Sequence, residues 1–182
     1  TGSFVHQLTS LSTATTYYVK AYAINSEGTA YGDQVIFTTA CDVITILPYT
    51  NDFTGQTLPT CWDNIDNDGS GQIWEFDNPG GRTFNSTTNA NGFAILDSDN
   101  YGSGGSQDAD MISPTFNFTN YTSITLSFEH YFYYYDNAIA TLYYSLDNGT
   151  TWTQIDSWTG ADEGSGTSPA VFLQDLTTEL AG

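Results

Sequence analysis

Basic residues are almost missing from this chain of 182 residues: there are two Lys+Arg, Lys20 and Arg82, against 21 Asp+Glu, for a formal net charge of −19. That balance excludes nucleic acid as a partner, because phosphate binding needs a basic surface. Anionic membranes are disfavoured for the same reason. No apolar run is long enough to span a bilayer, so membrane insertion is not expected. The chain does not begin with Met, so the lack of a leader says little. No stretch of ten or more residues carries a clean helical period. Catalytic signatures are missing too: there is no His-Glu-x-x-His and no Gly-x-Ser-x-Gly. A Cys61–His130 nucleophile pair and a Glu129–Asp136 carboxylate pair are the arithmetical remainders, and neither has a supporting motif, so no catalytic residue is expected.

What is present points to β structure. Charged residues make up only 13%, and polarity comes instead from Thr, Ser, Asn and Gly, with 13 Tyr. Thr and Tyr favour pleated, half-buried surfaces, and Gly, Asn and Asp favour turns. The apolar fraction of 39% supplies a core, so this is not a disordered acidic tail. The strong negative charge should attract cations, with divalent metals the obvious class.

Alternation and turn residues predict strands over residues 17–23 and 34–39, with a turn at Asn25-Ser26-Glu27-Gly28. Composition shifts at Ala40-Cys41. Beyond it, strands are predicted at 43–47, 73–76, 93–96 and around 111–113. The strongest lies at 123–135. A hairpin follows, 140–146 and 151–155 about Asp147-Asn148-Gly149. A last short element is predicted near 172–176. Segments 78–92 and 98–107, rich in Asn, Gly and Ser, read as surface loops. Strands with no helices between them imply an antiparallel sandwich or barrel. Two or three strands do not bury enough to stand alone, so the first unit is expected to begin inside a domain.

Three groups of residues carry possible chemistry. In the loop after Asp63, Asn64, Asp66, Asp68, Ser70 and Glu75 fit ligand positions of an EF-hand loop, and Gly69 fits its turn position. Flanking helices are lacking, because Trp74-Glu75-Phe76 reads as strand. A site on a β scaffold, using Asp66 and Asp68 with Asp52 and Asp108 or Asp110, is the better expectation for Ca²⁺; the bland alternative is a solvated turn. Alternation sends Tyr131, Tyr133 and Tyr135 to one side of their strand. If that side faces solvent it is a ligand-binding surface, since aromatic faces stack on sugars and dominate interface hot spots; if both sides are buried it is core. Cys41 and Cys61 are expected to pair in an extracellular protein, closing a loop worth about 3 kcal/mol on the chain-entropy estimate, or else to stand as two small core residues. Ser145-x-Asp147-x-Gly149-x-Thr151-Trp152 has the pattern of an Asp-box, a folding device. A sialidase would need several Arg residues and there is one.

Two resemblances organise these readings. Leu11-x-x-x-Thr15-x-Tyr17 followed by Val19-x-Ala21-x-Ala23-x-Asn25-x-x-Gly28 resembles the second half of a fibronectin type III domain, with Tyr17 as the tyrosine-corner residue. Residues 1–40 are assigned to it, as a truncated unit. Residues 41–182 look like the jelly-roll domain called cleaved adhesin, MAM-like or choice-of-anchor J, common in Bacteroidetes surface proteins. The residues are Leu47-Pro48-Tyr49-x-x-Asp52-Phe53, Leu58-Pro59-x-Cys61-Trp62, Asp66-Asn67-Asp68-Gly69-x-Gly71-x-x-Trp74, Asp110-Met111-Ile112-Ser113-Pro114, Leu126-Ser127-Phe128-x-His130 and the Asp-box segment. The family's closing strands are expected to be missing. The resemblance implies an all-β protein, a partial fibronectin type III sandwich followed by an incomplete jelly roll. It implies an extracellular or cell-surface module for adhesion, binding a glycan or a host or surface protein, with structural calcium and no catalysis. A structural spacer and an accessory domain of a secreted peptidase or glycosidase are the alternatives.

Overall fold

The computed structural model describes residues 3–87, 92–102 and 104–180. The chain divides into two units, Thr1–Val43 and Ile44–Gly182. Nearly all regular structure is β. The two helices among the described residues are single turns, α1 (Ser98–Tyr101) and α2 (Thr177–Leu180). No helix among the described residues is long and apolar enough to cross a membrane.

The first unit is a hairpin of β1 (Thr16–Asn25) and β2 (Gly28–Thr38). Its turn forms where the sequence carries Asn-Ser-Glu-Gly. Asn25 Oδ1 accepts the Glu27 N–H at 2.9 Å, and Gly28 takes φ 135°, which a side chain resists. The ladder runs from Thr16↔Thr38 to Asn25↔Gly28 with an irregularity between Lys20 and Tyr22. The Tyr17 hydroxyl accepts the Ser12 N–H at 2.8 Å, and its ring stacks on Phe37. Tyr18, Tyr22, Ile24, Tyr31, Val35 and Ile36 remain exposed, as two strands cannot bury both of their faces.

Among its described residues the second unit holds three antiparallel ladders: β3 (Asp63–Asp66) with β4 (Ala109–Ile112), β5 (Thr125–His130) with β8 (Ala170–Asp175), and β6 (Ala140–Tyr144) with β7 (Thr153–Trp158). Every sheet among the described residues has two strands, so the class is all-β while the larger sheets of a jelly roll are not among these pairings. In β5–β8, Phe128↔Phe172 and His130↔Ala170 face inward, while Ser127↔Leu173 and Glu129↔Val171 face out. Phe172, Ile124, Leu176 and Phe76 are the buried apolar side chains among the described residues. Phe172 stacks on Phe128 at 4.9 Å between ring centres and meets Trp158 edge-on at 5.9 Å. The end of β8 is tied down by Leu176 N–H donating to Ile124 O at 2.8 Å.

Several predicted strands shrink. Residues 43–47 keep one bridge, Ile44 to Phe116, and segments 73–76 and 93–96 keep one, Glu75 to Ile95. Each run is apolar enough for a strand, but a strand needs a partner along its length, and these meet theirs at a single residue. The run 123–135 is regular only to His130; Phe132 continues it as a single bridge to Glu163. In the predicted loop 98–107, Asp97 caps α1 by accepting the Asn100 N–H. Residues 88–91 and 103 of the two predicted loops lie outside the described ones. Both cysteines, Cys41 and Cys61, are disulfide-bonded.

Candidate functional site

The period-two alternation of β5 continues past its last ladder residue. It turns Tyr131, Tyr133 and Tyr135 outward and leaves Phe132 and Tyr134 half-buried. The three outward rings are 42%, 60% and 69% exposed, so the solvent-facing alternative holds for this strand. Tyr131 and Tyr133 lie 6.4 Å apart between ring centres. The strip is held from behind. Phe132 exchanges two 2.9 Å backbone hydrogen bonds with Glu163, and Tyr134 N–H donates to Asp162 Oδ1 at 2.8 Å. Partial burial, with the Asp162 charge second, pushes the Tyr131 phenol up. On β8 the same outward face presents Val171 and Leu173, both largely exposed. At the strip's far end, Asp136 and Asn137 both take positive φ and turn the chain toward β6.

Under this face sits an aromatic box. The His130 ring lies 5.5 Å from Phe128 and 4.8 Å from Trp158. Both of its ring nitrogens are shut from solvent with no hydrogen-bond partner among the described residues. Burial pushes its pKa below the usual 6.5, outweighing the opposing pull of Glu163 and Asp156.

The acidic loop is organised differently from a ligand cage. The β3–β4 register pairs Ile65 with Asp110 and Asp66 with Ala109. Asn67 then spans the gap, its Nδ2 donating to Asp108 Oδ1 at 3.1 Å and to Asp110 Oδ2 at 3.0 Å. Asp66 accepts the N–H of Gly69 at 2.8 Å on one oxygen and that of Gly71 at 2.7 Å on the other. Those glycines have φ 72° and 78°, the left-handed conformation that lets their N–H groups converge. Asp68 accepts from Ser70 N–H and from the Ser106 hydroxyl, and these hydrogen bonds, Ser106's first, hold its carboxyl at about 2. Asp52 stands on a separate stretch and accepts from the N–H and hydroxyl of Thr54. Four of the five carboxylates expected to hold calcium thus lie in or beside the β3–β4 pair, with hydrogen-bond donors supplied by the chain. No group of three or more His, Cys, Asp and Glu among the described residues is arranged to hold a metal ion.

The Asp-box segment folds as its residues dictate. Asp147 accepts the Thr151 N–H at 2.8 Å and the Thr151 hydroxyl at 2.7 Å, Gly149 takes φ 83°, and Trp152 packs against that glycine. The Thr151 bonds hold the Asp147 carboxyl at about 2.

Two features had no signal in the sequence patterns. Arg82 grips Asp97 bidentately at 2.6 and 2.9 Å and reaches Asp99 at 3.2 Å, which raises the guanidinium pKa and lowers that of Asp97. Glu129 binds the Ser86 hydroxyl and the N–H and hydroxyl of Thr87, so it anchors a loop. Both partners lie far off in sequence, where no period or spacing marks them. Cys61 is disulfide-bonded, which removes it as a nucleophile for His130.

No curated protein and no solved structure matches the chain. One family model does, that of the Cleaved Adhesin Domain, over residues 46–174. That span covers more than half of the chain and takes in the acidic loop, the tyrosine strip and the Asp-box hairpin. The chain belongs to the cleaved adhesin domain family.

Proposed function

We propose that this chain is a non-catalytic adhesion module of a secreted or surface protein, and that it takes a glycan or protein ligand on the face formed by Tyr131, Tyr133 and Tyr135. The observation that carries the reading is the exposure of this tyrosine ladder within the segment that matches the family. A structural spacer has no use for three outward aromatic rings, and their exposure favours binding over that alternative. Residues 1–40 are read as the end of a fibronectin type III domain, supported by the Tyr17–Ser12 hydrogen bond.

The test is adhesion itself. Beads carrying the full chain are flowed over an epithelial cell monolayer, beside beads carrying Tyr131→Ser/Tyr133→Ser/Tyr135→Ser. The serine variant should retain on the order of tenfold fewer beads, since aromatic anchors dominate interface energetics. Its circular dichroism should not change, because all three rings point outward. Equal retention of the two would overturn the reading.

Structural calcium belongs to the same reading. The resemblance implies it, and Asp66 and Asp68 with Asp52, Asp108 and Asp110 are the residues that would answer for it. In the structure Asn67 takes one oxygen each of Asp108 and Asp110, Gly69 and Gly71 N–H groups meet the two oxygens of Asp66, and no group of three or more His, Cys, Asp and Glu among the described residues is arranged to hold a metal ion. Binding would require the loop to rearrange. If calcium is structural, chelation lowers the melting temperature of the wild type and leaves Asp66→Ala/Asp68→Ala unmoved. Identical melting of the wild type with and without chelator removes calcium from the account.

A further inference from the structure

The outward face of β5 and β8 joins three features. The first is aromatic: Tyr133 and Tyr135 expose most of their rings, and Tyr131 nearly half. The second is apolar: Val171 and Leu173 lie on the same face by the pairing Glu129↔Val171 and Ser127↔Leu173. The third is charge. Asp162 is held against the strip by the Tyr134 N–H, and its charge reaches the Tyr131 hydroxyl. Asp136 and Glu163, both exposed, flank it at the turn after Tyr135 and at the bridge to Phe132.

No cation of this unit answers these carboxylates. Arg82 is the one Lys or Arg in Ile44–Gly182, and it is committed to Asp97 and Asp99. The field over the strip is therefore negative and uncompensated. A second copy of the chain would bring the same charge to the same face, and at −19 overall it would be repelled. A neutral glycan could use the rings but would leave the carboxylates without a partner. A cation satisfies both: ammonium and guanidinium groups sit over tyrosine faces and pair with neighbouring carboxylates, while their methylene stems lie on apolar side chains.

We infer that the Tyr131–Tyr133–Tyr135 face, with Val171 and Leu173 as its apolar extension and Asp162 beside it, docks a Lys/Arg-bearing segment of another protein. This inference rests on the adhesion reading and names the ligand class for the same face. Electrostatic attraction brings the basic segment in, and the rings and the aliphatic floor decide where it stays.

A fluorescein-labelled oligolysine peptide is the probe, titrated into the full chain by fluorescence anisotropy at low and at physiological salt. Any chain this acidic attracts polycations loosely, so site-specific variants decide. Tyr131→Leu/Tyr133→Leu should weaken binding on the order of tenfold, while Tyr131→Phe/Tyr133→Phe, which keeps the π face, should stay within about twofold. Asp162→Asn should weaken it about threefold, and Asp33→Asn on β2 should leave it unchanged. Three results would overturn the inference. One is an equal loss from Asp33→Asn and Asp162→Asn, which means diffuse attraction only. Another is leucine binding as well as phenylalanine. The third is that a neutral hexasaccharide, or self-association in sedimentation, proves to be what depends on the tyrosines. If the bead assay is tyrosine-dependent while oligolysine fails, the ligand class falls and adhesion stands; if the bead assay fails too, both fall.

Discussion

Phe172→Ala should cost the second unit about 3–5 kcal/mol, the range for truncating a buried aromatic residue. Phe172 is among the few buried apolar side chains of the described residues, and its ring contacts both Phe128 and Trp158. Removing it empties the space between the β5–β8 ladder and the β7 tryptophan. Small domains have only about 5–15 kcal/mol in total, so this one change takes a large share. Denaturant titration followed by tryptophan fluorescence reads the effect directly. The comparison that gives it meaning is Leu173→Ala, one residue on. Leu173 is 70% exposed and should move the midpoint by no more than about 0.5 kcal/mol. If the two substitutions cost the same, the inward and outward assignment of β8 is wrong.

His130→Leu should stabilise the protein by about 1–3 kcal/mol at neutral pH, the cost of a buried polar group left unbonded. Both His130 ring nitrogens are in that state, inside a box of Phe128, Trp158 and Phe172. The substitution also changes the pH profile. The folded pKa of His130 lies below the ordinary 6.5 because burial opposes its charge, although Glu163 and Asp156 favour it. The unfolded chain therefore binds more protons in this range, and stability rises with pH. The contribution of neutral His130 is fully present above 6.5 and is lost as pH falls from there toward the folded pKa. Asp68 and Asp147, held at about 2, titrate well below this window and do not blur it. The wild type should lose melting temperature between neutral pH and about 5.5, and His130→Leu should lose markedly less. Parallel pH profiles for the two proteins would show that the ring is solvated or bonded after all.

Much of the architecture was legible in the chain because its causes are local. Alternation along 17–23, 34–39 and 123–130, and turn chemistry at Asn25–Gly28 and Asp147–Gly149, depend on residues a few positions apart. The expectation that nucleic acid is not the partner needed only a count of Lys and Arg. What depended on a distant partner was not legible. Ile73–Phe76 and Val43–Leu47 have the composition of strands, yet each meets its neighbour at one residue. β5 pairs with β8 rather than with a neighbour in sequence, and that register sets Val171 and Leu173 outside and Phe172 within. Alternation put Tyr131, Tyr133 and Tyr135 on a single side, but only the tertiary structure decided that this side meets water. The convergence of the Gly69 and Gly71 N–H groups on the Asp66 carboxylate was likewise visible only in the tertiary structure. Period and turn preference act through the nearest bonds of the chain and can be read from it; burial and hydrogen-bond partnership depend on which distant segments the fold brings together.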